Sequence, residues 1–385
     1  MKKALIRLAG GISTVFFAAV LLGMREIPAV EEIRETGWTL VTQSMGGHAG
    51  EYGAYPVVLE MLGGKQYFYP GSESEQELIL AENRQNKASG ENVDGTGNGQ
   101  MVGDVYGEES AETLAQAGSQ TAAVRKTNAA VEKLRNTLDT NYLWNKFYII
   151  DSTTSVKKDL FDVKKLLETD LRLEKKKGKK QILIYHTHGA SERFADSSDK
   201  IEDSVVGVGT RLAKELEKKG YGVYHDMTRY DWIDGKLDRS LAYNKSLEGI
   251  QRIRRENPDI RVIIDLHRDS VGKGKHTFTT IQGRKTAIVM FFNGLSRKRS
   301  GPIDYLYNPN LQGNLAFSLQ MKCKAMEYYD GFTKPIYLKG YRYNLHLEKR
   351  SLLIELGNEN NTVEEAGNAA APLADVLDKV LSGHG

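Results

Sequence analysis

The stretch "QILIYHTHGASERF", Gln181 to Phe194, decides how the chain is read. An unbroken apolar run, Ile182-Leu183-Ile184-Tyr185, ends in His186, Thr187, His188 and Gly189, with Glu192 close behind. A continuous apolar run bounded in this way is a strand covered on both faces, as in parallel sheets under helices. Two imidazoles and a carboxylate at its mouth are groups that hold metals or move protons.

The pattern repeats on either side of this strand. "RVIIDL" (Arg261 to Leu266), "TAIVMFF" (Thr286 to Phe292) and "SLLIEL" (Ser351 to Leu356) read as further buried strands, and Tyr221 to Tyr224 as a short one. Helical spacing runs over Asp203 to Lys219, Arg239 to Glu256, Leu311 to Tyr329 and Val363 to Leu381. "YLWNKFYIID" (Tyr142 to Asp151) is aromatic and β-branched and reads as a strand or extended segment. Apolar strands alternating with helices predict an α/β fold, a mostly parallel sheet with helices on both faces.

Sites in open α/β sheets form at the carboxyl ends of the strands. Three strands here end in polar residues. The first runs into His186 and His188, the second into His267-Arg268-Asp269, and the last into Glu355, followed by Gly357, Asn358 and Asn360. Each residue alone has a structural explanation that is the commoner one. A strand-end histidine is usually hydrogen-bonded to backbone, and a strand-end glutamate can cap the next helix. Three such ends on parallel strands are harder to dismiss together. Two histidines and a carboxylate are a standard zinc set that leaves a position for water, and a further carboxylate can serve as general base. "ASERF" lacks the glycines of a nucleophile elbow, and no phosphate-binding glycine loop follows a strand.

Composition narrows the class. The chain has 385 residues, enough for one large domain or two ordinary ones, and its formal charge of +3 gives no reason to expect a nucleic-acid partner. Cys323 is the one cysteine, so an intrachain disulfide and a Cys-rich zinc site are both excluded. Lys2, Lys3 and Arg7 precede an uncharged stretch from Leu8 to Met24, and Arg25-Glu26 follow it. With Ala4 to Ile6 this reaches bilayer length, and residues 1–24 are read as an uncleaved transmembrane helix with the rest outside the cytoplasm. A cleaved signal peptide is the competing reading. Residues 25–70 read as a membrane-proximal segment. Residues 71–140, which include "SGENVDGTGNGQMVGD" (Ser89 to Asp104), bury too little to offset ordering entropy and read as a flexible linker. Residues 141–385 would then form the folded domain.

At this point the chain resembles the stage II sporulation protein P family, membrane-anchored cell-wall hydrolases of endospore formers related to zinc-dependent N-acetylmuramoyl-L-alanine amidases. The resemblance rests on "YHTHGASERF" (Tyr185 to Phe194), "VVGVGTRLAKELEKKGY" (Val205 to Tyr221), "HDMTRYD" (His225 to Asp231), "DLHRDS" (Asp265 to Ser270) and "SLLIELGNENNTVEEA" (Ser351 to Ala366). It covers roughly Asn141 onward. What it implies is one zinc held by His188 and His267, with Glu355 as the catalytic glutamate. The third ligand it implies is a carboxylate. Glu192 stands one residue later than the family spacing and is followed by Arg193, and counting back from Gly220 points to Glu202 instead; Glu192 ranks first and Glu202 remains the alternative. His186, Arg268 and Asp269 are neighbours that would support the ligands.

The resemblance further implies a peptidoglycan substrate, endopeptidase action on peptide crosslinks, and work with stage II sporulation proteins D and M during engulfment of the forespore. Two rivals stand beside the amidase. One is a non-catalytic, membrane-tethered wall-binding scaffold on the same fold. The other is a zinc carboxypeptidase or deacetylase acting on cell wall.

Overall fold

The computed structural model describes residues 124–383. The anchor read over 1–24, the segment 25–70 and most of the linker 71–140 lie outside them. Among the described residues no helix is long and apolar enough to cross a membrane.

The first elements are helices α1 (Ala129–Thr137) and α2 (Thr140–Phe147), followed by strand β1 (Tyr148–Ile150). Both helices start on a side-chain cap: Asn128 Oδ1 accepts from the Ala130 and Val131 amides, and Asp139 accepts from the Asn141 amide. The extended reading of Tyr142 to Asp151 is therefore corrected over its first half. Leu143 and Phe147, four apart, bury one helical face, and the cap with that face outweighs aromatic strand propensity. Helix α1 falls before Asn141, inside the stretch read as linker.

After α3 (Val163–Glu168) come β2 (Ile182–Tyr185), α4 (Val205–Lys218), β3 (Val223–His225), the ribbon β4 (Trp232–Ile233) and β5 (Lys236–Leu237), and α5 (Ala242–Glu256). The second half holds β6 (Val262–Asp269), the hairpin β7 (Phe278–Ile281) and β8 (Arg284–Ala287), β9 (Val289–Gly294), the ribbon β10 (Arg297–Lys298) and β11 (Gly301–Pro302), α6 (Leu311–Tyr328), β12 (Ile336–Lys339), β13 (Ser351–Asn358), α7 (Val363–Asn368) and α8 (Ala370–Ser382). The run "TAIVMFF" is thus two strands, its front half tied into the hairpin that turns at Gln282-Gly283, both at positive φ. The expected closing helix is also two. A continuous helix would need an amide proton on Pro372, which has none, and the chain breaks at Ala369.

The main sheet has strand order β1-β12-β9-β13-β6-β2-β3. Every pairing is parallel except β9 with β13. The sheet is therefore two parallel blocks running in opposite directions, and the carboxyl ends of β2, β6 and β13 share one edge. Alternation of side chains separates its faces. Ile182, Ile184, Val262, Ile264, Leu352 and Ile354 join the main core with residues of α4, α6 and α8. Leu183, Tyr185 and Ile263 pack with Ile250 and Ile253 of α5 on the other face.

Candidate functional site

Strand β2 ends at Tyr185, and the chain turns at His188. The amides of Ser191 and Glu192 both donate to the His188 carbonyl, at 3.2 and 3.1 Å, which swings Glu192 back toward β6. There Glu192 Oε1 lies 3.0 Å from His267 Nδ1, and Oε2 accepts from the Arg268 amide at 3.0 Å. His267 Nε2 lies 2.9 Å from Asp265 Oδ1, a close ion-pair contact that is off the line of a hydrogen bond. The His188 ring stands edge-on to two rings, His267 with centroids 5.4 Å apart and Tyr243 at 5.6 Å. His188, Glu192 and His267 are all buried, so the structure brings three of the expected residues together.

Glu355 joins them through the sheet. It is the register partner of His267 in the parallel pairing of β13 with β6, and such partners project from one face. Gly357, at φ +66°, follows it within an irregularity of that pairing, and an added Cβ there would meet Asn361 Oδ1 at 2.9 Å. Asn361 in turn holds the Asn358 amide, and Thr362 with Glu365 form a capping box that opens α7.

Electrostatics separate these groups. Burial pushes the proton affinity of His188 well down, helped by Arg239 and His267. Burial also works against a charge on His267, but Asp265 and Glu192 outweigh it and raise its pKa well above the usual value. Burial raises the Glu355 carboxyl, with His267 opposing and Asp269, Glu192 and Asp265 adding to the rise, to about 8. Among the described residues, His188 Nδ1 and Glu355 Oε2 are buried without a hydrogen-bond partner. An orphaned buried acceptor is costly and asks for a ligand or water.

The side chains of the other expected residues are engaged elsewhere. Glu202 is exposed, in a single turn before α4, away from the histidines that Glu192 joins. His186 faces α4: its Nδ1 donates to the Leu266 carbonyl at 2.8 Å and its Nε2 meets His225 Nε2 at 2.9 Å. Burial, then His225, lowers the pKa of His186 to about 3. Arg268 spends its guanidinium on the carbonyls of Arg193 and Asp269. Asp269 pairs with Lys334 at 3.2 Å.

Four further residues complete the site. Asp265 accepts from the Thr187 amide and hydroxyl at 3.0 and 2.7 Å. Asp231 accepts from the Ala190 and Ser191 amides and the Ser191 hydroxyl, and so fixes the turn after His188. Arg239 places Nη1 3.0 Å from Ser191 Oγ and Nη2 3.7 Å from Glu192 Oε1. Tyr243 backs His188 from α5. Asp265 was within reach of a period-two count from His267, and Tyr243 lies on α5, whose helical spacing is legible, whereas Asp231 and Arg239 arrive through a loop of no regular period.

The donor set suits a zinc ion, two imidazoles and a carboxylate with His188 Nδ1 already bare. Among the described residues no three His, Cys, Asp or Glu side chains yet stand at metal-holding spacing. Glu192 now occupies His267 Nδ1 through a hydrogen bond, and a cation there would replace that proton.

The family model described as Stage II sporulation protein P matches residues 98–378. A curated relative, Stage II sporulation protein P of Bacillus subtilis (strain 168), is 29% identical over 220 residues, 52% of this chain and 51% of the relative. The chain spans about half the length of that curated relative. Among solved structures, the apo N-acetylmuramyl-L-alanine amidase of Mycobacterium abscessus is 14% identical, over 52% of this chain and 99% of that one, with a TM-score of 0.33. A metallo-carboxypeptidase of Burkholderia cenocepacia is 12% identical over 54% of this chain and 58% of its own, with a TM-score of 0.28. Likenesses this distant carry no correspondence of sites.

Proposed function

Because the chain belongs to the stage II sporulation protein P family, we propose that it is a zinc-dependent peptidoglycan hydrolase that cleaves the amide between N-acetylmuramic acid and L-alanine, and peptide crosslinks as well, during spore engulfment. The observation that carries this reading is the meeting of His188, Glu192 and His267 beside Glu355, whose Oε2 is buried and unpartnered. His188 and His267, with Glu192, would hold the metal. A zinc ion bound there supplies Lewis-acid polarisation of a carbonyl and charge stabilisation of the oxyanion.

The chain's own residues do the rest. Glu355 Oε2 takes the proton of the attacking water and later delivers it to the leaving nitrogen. Its raised pKa suits a group that must both accept and return a proton near neutral pH. Asp265 orients the His267 ring through Nε2, and Asp231 holds the turn that presents His188. The same proposal places the domain outside the cytoplasmic membrane on the anchor read at residues 1–24, where stage II sporulation proteins D and M are the partners that the family resemblance implies.

The test is digestion of purified peptidoglycan by the full chain, with zinc and with chelator, and chemical analysis of the products. Free stem peptides with a new N-terminal alanine support the amidase. Release of terminal D-alanine or acetate instead makes it a carboxypeptidase or a deacetylase. Wall binding with no product under any metal makes it a scaffold.

A further inference from the structure

We propose that Arg239 recognises a carboxylate of the stem peptide on the substrate, an assignment that rests on the peptidoglycan reading and adds to it the group that reads the peptide side. Three arginines surround the Glu192 turn. Arg193 spends Nη1 on the carbonyls of Ser198 and Lys200. Arg268 spends Nε and Nη1 on the carbonyls of Arg193 and Asp269. Both are structural ties. Arg239 differs. Among the described residues its guanidinium makes one hydrogen bond, Nη1 to Ser191 Oγ at 3.0 Å, and its side chain is 51% exposed.

Its one partner is itself well held. Ser191 Oγ is held in turn by Asp231 Oδ2 at 2.6 Å, and Asp231 also binds the Ala190 and Ser191 amides. The guanidinium thus hangs from the turn that carries His188 and Glu192. It approaches Glu192 Oε1 only to 3.7 Å, an ion-pair contact beyond hydrogen-bond range, so the donors other than the one on Ser191 remain open to a ligand on this half-exposed side chain. A guanidinium with free donors beside a buried carboxylate can take a second carboxylate in a bidentate pair, which fixes direction as well as charge. Stem peptides of peptidoglycan carry free carboxylates close to the lactyl amide, and a neutral glycan offers none.

The test uses the full chain in mild detergent, loaded with zinc and carrying Glu355→Gln so that ligand is not consumed. Binding of N-acetylmuramoyl-L-alanyl-D-glutamate is compared by calorimetry with binding of the same molecule with both carboxyls amidated. The carboxylate form should bind about ten- to a hundredfold tighter, the range of a charge-assisted pair. Arg239→Met should erase that difference while leaving affinity for the amidated form and the zinc content unchanged. Arg239→Lys, which keeps the charge and loses the fork, should recover only part of it. Equal affinity for the two ligands, absent binding of both, or loss of zinc in Arg239→Met overturns the assignment. The last outcome would make Arg239 a support for Glu192. The hydrolase reading is judged separately, by the wall digest of the unaltered chain.

Discussion

Glu355 and His267 stand side by side as register partners on parallel strands, each in the last part of its strand and projecting from the same sheet face. The sheet itself therefore sets the spacing between the proposed base and a proposed metal ligand, and no loop has to close to bring them together.

That placement makes Glu355→Gln the most direct probe of mechanism. The amide keeps the shape of the carboxyl and removes its basic oxygen. The variant should fold, retain zinc and bind peptidoglycan, yet cleave it at least about a hundredfold more slowly. Near-normal cleavage would remove Glu355 from the reaction, and loss of zinc would make it a ligand.

Asp265→Asn tests the support of His267. The carboxylate faces His267 Nε2 at 2.9 Å while holding the Thr187 amide and hydroxyl. Asn keeps one acceptor and loses the charge that favours a basic imidazole. Zinc affinity, read by competition with a chromophoric chelator, should fall about 10–100-fold. An unchanged affinity shows that the Asp265 contact does not tune the site.

Gly209→Ala tests the packing of α4 on the sheet. An added Cβ would sit 2.6 Å from the His186 ring and 2.7 Å from His225 Nε2. Thermal unfolding should report a loss of about 1–3 kcal/mol, the usual cost of overpacking. The loss should shrink in a His225→Ala background, where one of the two obstacles is gone. Equal losses in both backgrounds would place the strain elsewhere.

Lys322 offers a test in pH. Its ammonium lies in the core, donating to the Thr333 carbonyl and hydroxyl at 2.7 and 2.9 Å. Burial pushes its pKa from 10.5 down to about 7. Between those values the unfolded chain holds the proton and the folded chain has released it. Stability from this group therefore rises with pH above about 7, and the full cost of burying the charge is present below that. Denaturant midpoints should climb between about pH 7 and pH 9, and Lys322→Met should flatten the climb. An identical slope in the variant would assign the pH dependence to another group.

Much of this was legible in the sequence because burial writes itself in periodicity. Ile182 to Tyr185, Val262 to Ile264 and Leu352 to Ile354 are apolar on consecutive positions, as a sheet covered on both faces requires. The polar residues ending those runs were visible for the same reason. The antiparallel pairing within the main sheet was not, since β9 is apolar whichever way it runs, and side-chain pattern carries no strand direction. Strand β12 went unread as well, because Ile336 to Lys339 alternates over only four residues. Around the site, His188, Glu192 and His267 could be named from type and spacing, and Asp265 from alternation. Asp231 and Arg239 could not, since they reach the His188 turn through backbone amides and one serine hydroxyl.

Strand β13 is the last strand in the chain and lies between β9 and β6, joining the two blocks of the sheet. Until it is in place the molecule is two unsealed half-sheets with bare edges. Pairings this distant in sequence close slowly. The turn carrying Glu192 waits on the same event, since Ala195 donates to the Asn361 carbonyl and Asp196 accepts from the Val363 amide. The proposed site therefore cannot be complete before β13 and the start of α7 have joined the sheet, so the order of assembly governs when the site exists at all.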